Sequence, residues 1–271
     1  MNDRVHVEMK DGVADVRLIR TDKMNALDDA MFSALIETGE ELKTRKGLRA
    51  VVLSGEGRAF CAGLDMGSFG QMASGERKAR NDSGEGLLTR DRTAGGSNRA
   101  QHAVMVWREI PVPVSAAVHG VAFGGGFQLA LGADMRFVAP DARMAVMEIK
   151  WGLVPDMAGI ALLRTLLRDD VARELTYTGR IFDGREALSM GLATRVCDDP
   201  RAEALAVAAE IAGKSPDAIR GAKRLIDMSV EADQHAILLA ESKEQGALIG
   251  SPNQVEAVMA NMQKRAPAFT D

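Results

Sequence analysis

The stretch from Val114 to Phe127 constrains the fold more than any other part of the chain. A short apolar run, Val114 to Val118, ends in His119-Gly120. A triple glycine, Gly124-Gly125-Gly126, then stands directly ahead of a helix-like segment from Phe127 to Ala133. Apolar run, glycine turn and helix in that order describe a buried strand that passes into a helix through a tight bend, which is α/β construction. Glycines there let a ligand approach the main chain, and the helix behind them points unbonded N–H groups and its positive end at whatever lies in the bend. The same glycines also permit close packing of helix on sheet, and their number alone does not separate the two uses.

A second turn has the same character. Ala50 to Leu53 is a short apolar run ending in Ser54-Gly55-Glu56-Gly57, and Arg58-Ala59-Phe60-Cys61-Ala62-Gly63-Leu64-Asp65 follows it. Main-chain donors aimed at an oxyanion in a dry site are worth several kcal/mol, so a pair of such turns is a place to hold developing negative charge.

The remaining chain fits around these turns. Val5, Val7 and Met9, then Asp11-Gly12, then Val13 to Ile19 read as a two-stranded hairpin. After Asp28, the residues Met31, Leu35, Thr38 and Leu42 fall at helical spacing, with Lys43, Arg45 and Lys46 at the far end to suit the helix dipole. Gly67 to Asn98 is rich in glycine, serine and charge, and reads as a mobile segment with at most short helices. A helix carrying Val104 and Trp107 is stopped by Ile110-Pro111-Val112-Pro113. A strand pair, Met135 to Val138 and Met144 to Met147, is expected next, then a mostly helical region from Ile160, with Asp183 opening and Gly191 closing one helix. Helices near Ala202–Lys214, Asp217–Val230 and Gln254–Lys264 complete the chain. Strand, strand, helix thus recurs, which predicts a spiral core over residues 1–195 and a C-terminal helical section over 196–271.

With 271 residues and 46% hydrophobic content the chain buries a large core. A net charge of −4 argues against a nucleic-acid partner. Cys61 and Cys197 lie too far apart in sequence for a C-x-x-C motif, and His6, His102, His119 and His235 lack metal-site spacing, so no metal is expected. His119 reads as a satisfied structural group beside a turn. Met1 to His6 has no apolar leader, and no run is long enough to cross a bilayer, which predicts a cytoplasmic protein without a membrane partner.

Arg58 to Asp65, Gly120 to Gln128 and Met147 to Asp156, joined by Asn25-Ala26-Leu27, Gly179 to Phe182 and Ala187 to Leu192, resemble in order the signatures of the crotonase family of enoyl-CoA hydratases and isomerases. The resemblance spans nearly the whole chain. It implies an acyl-CoA substrate whose thioester oxygen is held by the backbone N–H groups of Leu64 and Gly125. It implies no cofactor, since coenzyme A is part of the substrate. Lys23, Met24, Ala26, Arg58, Ala62, Asp65, Met66, Gly124 and Pro155 are implied as CoA- or substrate-binding positions, with Arg58 a partner for phosphate. A homotrimer or dimer of trimers, with the C-terminal helices at subunit contacts, is implied as well.

Glu148 stands where the family keeps a catalytic carboxylate, and burial in an apolar pocket raises a glutamate's pKa toward the range useful for proton transfer. The blander use is a turn cap or an ion pair with Lys150 or Arg143. Gln128 stands where enoyl-CoA hydratases have a second glutamate; glutamine bonds hydrogen but accepts no proton in this range, which weakens hydration by two carboxylates. Asp156 matches an aspartate of the dienoyl-CoA isomerase branch, although that branch also has a carboxylate where Gln128 stands. Asp156 also suits the N-cap of a helix over Ile160–Leu167. Double-bond isomerisation through Glu148 and Asp156 is therefore the expected reaction, with hydration as the alternative and acyl-CoA binding without turnover as the third. A dinucleotide site is disfavoured, because Phe127-Gln128-Leu129 lacks the third glycine of G-x-G-x-x-G.

Overall fold

The computed structural model describes residues 3–74 and 91–271. Strands β1 (Val5–Lys10) and β2 (Val13–Leu18) pair antiparallel, with Lys10 opposite Val13. The two-residue link between them, Asp11-Gly12, has both φ angles positive, at 50° and 79°, as the tightest hairpin turn requires. Asp28 then caps α1 (Asp29–Lys43) by accepting from the Met31 N–H at 2.8 Å, and Met31, Leu35, Thr38 and Leu42 are its buried stripe.

From β2 onward the sheet is parallel. β3 (Ala50–Gly55) lies beside β2, then β4 (Val114–Val118), β6 (Met135–Val138) and the two-residue β8 (Arg195–Val196), in the order β1-β2-β3-β4-β6-β8. β3 and β4 are buried along their entire length, as strands covered on both faces must be. Between β3 and β4 come α2 (Met66–Ala73) and α3 (Arg99–Arg108), the latter with Trp107 fully buried.

A second, smaller layer sits at the ends of these strands. β5 (Val121–Phe123) pairs parallel with β7 (Arg143–Ala145), and single bridges join Cys61 to Ala122, Leu27 to Leu64 and Met144 to Phe182. β4 turns the corner into β5 at Gly120, whose φ is +60° and whose missing side chain leaves room for the Arg58 carbonyl, only 2.1 Å from where a Cβ would stand. α4 (Gly125–Leu131) completes that turn. The α/β spiral of strand, corner, short strand and helix is the architecture expected from the sequence. One local reading is corrected. The two strands foreseen at 135–147 do not pair with each other, because β6 belongs to the large sheet and β7 to the small one.

The rest is helical: α5 (Gly159–Leu166), α6 (Asp169–Thr178), α7 (Gly184–Met190), α8 (Pro200–Ala212), α9 (Pro216–Met228), α10 (Gln234–Leu248) and α11 (Pro252–Met262). Asp183 and Gly191 do bracket α7. α8 lays Ala204 and Ala208 on Val13, Ala50, Val52, Ala117 and Phe137, so its apolar face is satisfied within the chain. α10, not foreseen, buries no residue and exposes Leu238 and Leu239. Within Gly67–Asn98, residues through Ala73 belong to α2, and residues 75–90 lie outside the described residues.

Candidate active site

The turn before Leu64 is built on a splint supplied by residues 24–27. Asn25 is fully buried in the left-handed region, φ 56°, which asparagine tolerates better than most side chains. Its Nδ2 donates to the carbonyls of Glu56 and Ala59 at 3.1 and 2.9 Å. Ala62 N–H donates to Met24 O, Leu27 N–H to Gly63 O and Asp65 N–H to Leu27 O, all between 2.8 and 3.0 Å. The Asp65 side chain then caps α2 through Gly67 N–H and receives Arg20 Nη1 at 2.7 Å. These bonds use the main-chain groups on both sides of Leu64.

The glycine turn docks against this one, and its glycines divide their duties. A Cβ on Gly126 would stand 2.2 Å from the Cys61 carbonyl, so Gly126 serves close packing. Gly124, φ +50°, faces the Glu148 carboxyl, with Oε1 3.3 Å from its Cβ position. Across the contact, Gly63 backs onto Phe123 O, 2.5 Å from its Cβ position, with Gly125 N at 3.6 Å. The two turns foreseen as a pair are therefore in contact. Among the described residues, the N–H groups of Leu64 and Gly125 donate to no protein acceptor.

Glu148 opens a single 3₁₀ turn, Glu148–Trp151, and is 8% exposed. Gln128 Nε2 donates to its Oε1 at 2.6 Å, while Oε2 is buried without a hydrogen-bond partner. Burial pushes the Glu148 carboxyl above the ordinary carboxylate range. The neighbouring Asp156 charge adds to that rise, and the adjacent Glu148 amide, the Gln128 NH₂ and the Met147 amide oppose it. An ion pair with Lys150 or Arg143 is not its use: Lys150 Nζ lies over the Trp151 ring and the Arg143 guanidinium over Phe123.

Gln128 is fully engaged. Its Oε1 accepts from Met157 N–H and Gly159 N–H, both at 2.9 Å, so the amide has only its NH₂ left to face Glu148. This corrects the helix-cap reading of Asp156. The cap position of α5 is Ala158, in the left-handed region at φ 66° with no side-chain cap, and the side chain that meets the first N–H groups is Gln128. Asp156 is exposed, near enough to act on Glu148 by charge.

The other expected positions differ in exposure. Lys23 and Arg58 are exposed, Met24, Ala62, Asp65 and Pro155 half-buried, Ala26 buried and Met66 two-thirds exposed. Arg20 Nη1 holds the Ala26 carbonyl at 3.0 Å. His119 Nε2 lies 2.9 Å from Gly57 O, the structural use foreseen for it. Two features escaped sequence reasoning. Phe69 of α2 stacks on Trp151 with centroids 4.2 Å apart, joining the Leu64 side of the site to the Glu148 side. Glu40, His102 and Glu109 bring donor atoms within 4.8 Å of one another, but Lys43 Nζ bonds both carboxylates and supplies the balancing charge itself.

Two unbonded amides in adjoining turns, next to a buried carboxyl with one unbonded oxygen, are equipped to polarise a carbonyl and move a proton beside it. The family model described as enoyl-CoA hydratase/isomerase matches residues 8–271. The mouse mitochondrial Delta(3,5)-Delta(2,4)-dienoyl-CoA isomerase is 31% identical over 260 residues, 93% of this chain and 77% of that protein. The mouse mitochondrial methylglutaconyl-CoA hydratase is 28% identical over 272 residues, 97% of this chain and 82% of that one. The crystal structure of an enoyl-CoA hydratase from Bacillus anthracis superposes with a TM-score of 0.85 at 27% identity, covering 98% of this chain and 99% of the other.

Proposed function

Because the chain belongs to the enoyl-CoA hydratase/isomerase family, we propose that it shifts a double bond in an enoyl-CoA thioester, with Glu148 carrying the proton. In this reading the thioester oxygen accepts from the N–H groups of Leu64 and Gly125. Glu148 Oε2 removes a proton from the acyl chain, and the C–H electron pair passes into an enolate whose charge rests on the held oxygen. The enolate collapses with the double bond displaced, and a proton returns at the far carbon from Glu148 or from Asp156. Lys23 and Arg58, both exposed, suit the phosphates of coenzyme A, and no cofactor beyond the substrate's own CoA is needed.

The observation that carries this reading is the buried, unpartnered Oε2 of Glu148 beside an amide, Gln128, in place of a second carboxylate. One proton-carrying oxygen, able to exchange its proton with solvent between the two steps, suits removal and return of a proton better than the two-carboxylate activation of water. Hydration is the second reading, favoured by the methylglutaconyl-CoA hydratase among the relatives. Exposed Leu238 and Leu239 on α10, with Val255, Val258 and Met262 on α11, support assembly into a trimer or dimer of trimers.

The test is incubation with 2-enoyl, 3-enoyl and dienoyl thioesters in deuterated water. Displaced double bonds and deuterium at the acyl chain are expected. Hydroxyacyl products alone would replace isomerisation by hydration.

A further inference from the structure

Gln128 joins two elements that sequence keeps apart. It is 1% exposed and stands at the fourth position of α4, with its amide oxygen on the start of α5 and its NH₂ on Glu148. The two main-chain donors settle which end of the amide faces which way, because an oxygen is needed to accept from Met157 and Gly159. We infer that Gln128 is a positioning residue that pins Glu148 through Oε1 and so leaves Oε2 as the one oxygen that exchanges protons with substrate.

This inference rests on the reading of Glu148 as the proton carrier. Its physical content is the sign of the contact. An amide NH₂ at 2.6 Å stabilises the carboxylate form of Glu148, the form that accepts a proton. A carboxylate in its place meets Glu148 oxygen to oxygen and is tolerated only with a proton shared between them. The charged groups on the surrounding elements are mostly engaged elsewhere. α4 carries no titratable side chain, Arg143 of β7 lies over Phe123, Lys150 lies over Trp151, and Glu174 of α6 is paired with Arg180. Asp156, ahead of α5, is the charged group that acts on Glu148 alongside it.

Gln128→Glu separates positioning from mere helix capping, because the introduced side chain keeps an oxygen for Met157 and Gly159. The expected result is a melting temperature and KM near wild type, lower kcat at neutral pH, and an acid limb of kcat moved up by about one pH unit or more. An unmoved limb with wild-type kcat reduces Gln128 to a helix cap and overturns the inference. Should the variant not fold, the side-chain amide resonance of Gln128 in unliganded wild type decides. It is expected to shift in step with the Glu148 titration, and a resonance indifferent to that titration overturns the inference. A wild type that only hydrates enoyl thioesters removes the isomerase reading, yet the limb of that activity still reports the Gln128 contact.

Discussion

Replacing Gly63 by alanine probes the contact between the two turns. Its Cβ would stand 2.5 Å from the Phe123 carbonyl oxygen, whereas ordinary contact starts at 3.4 Å, so the turns must part by about 0.9 Å. The obstacle is main chain on both sides, and no flexible side chain end can swing away. A φ of +88° adds about 1–2 kcal/mol for any residue with a Cβ. Gly125 N lies 3.6 Å from the same point, so the parting falls on the amides proposed to share one thioester oxygen. Loss of one such donor costs about 100- to 1000-fold in kcat, and a misplacement near 1 Å costs about 100-fold. Gly63→Ala should therefore lower kcat by about 100-fold, with KM changed much less because the donors act most strongly on the enolate. A conjugated thioester whose absorbance shifts to the red when its carbonyl is polarised gives the direct assay. A folded variant with undiminished red shift and kcat within a few-fold of wild type would falsify the shared-oxygen argument.

Glu148→Gln should abolish turnover while leaving acyl-CoA affinity near wild type; retained turnover removes Glu148 from the mechanism. The same variant should melt higher at neutral pH. Burial raises the folded carboxyl above its unfolded value, so the stability it contributes is present at low pH and lost as pH rises through that raised value. A lower melting temperature would contradict this sign. The acid limb of wild-type kcat/KM should lie above the ordinary glutamate value of about 4.3, and a limb at or below it would detach catalysis from this buried group. Asn25→Ala, which strands the Glu56 and Ala59 carbonyls, should cost about 2–4 kcal/mol in urea unfolding, and an unmoved midpoint would deny the splint its weight.

Local chemistry made much of this readable in advance. Asp11-Gly12, Asp28, Pro111 and Pro113, and Asp183 with Gly191 act on their immediate neighbours, and each lies where its element starts or stops. The triple glycine was legible as a site of close approach, but which glycine packs and which faces the carboxyl depends on Cys61 and Glu148, both distant in sequence. Gln128 was legible only as a missing carboxylate. Its bonds reach 20, 29 and 31 residues along the chain, and no periodicity encodes such a reach. Asp156 shows the converse: an acidic residue just ahead of a helix satisfies every local rule for a cap, and a buried amide from another element takes the place.

That borrowed cap also ties two distant stretches of the chain together. The cap of α5, Ala158, is in the left-handed region and offers no side-chain acceptor, so the Gly159 N–H takes its acceptor from Gln128 of α4, 31 residues away. The start of that helix and the Glu148 carboxyl thus depend on one side chain, and a change at residue 128 is felt at both.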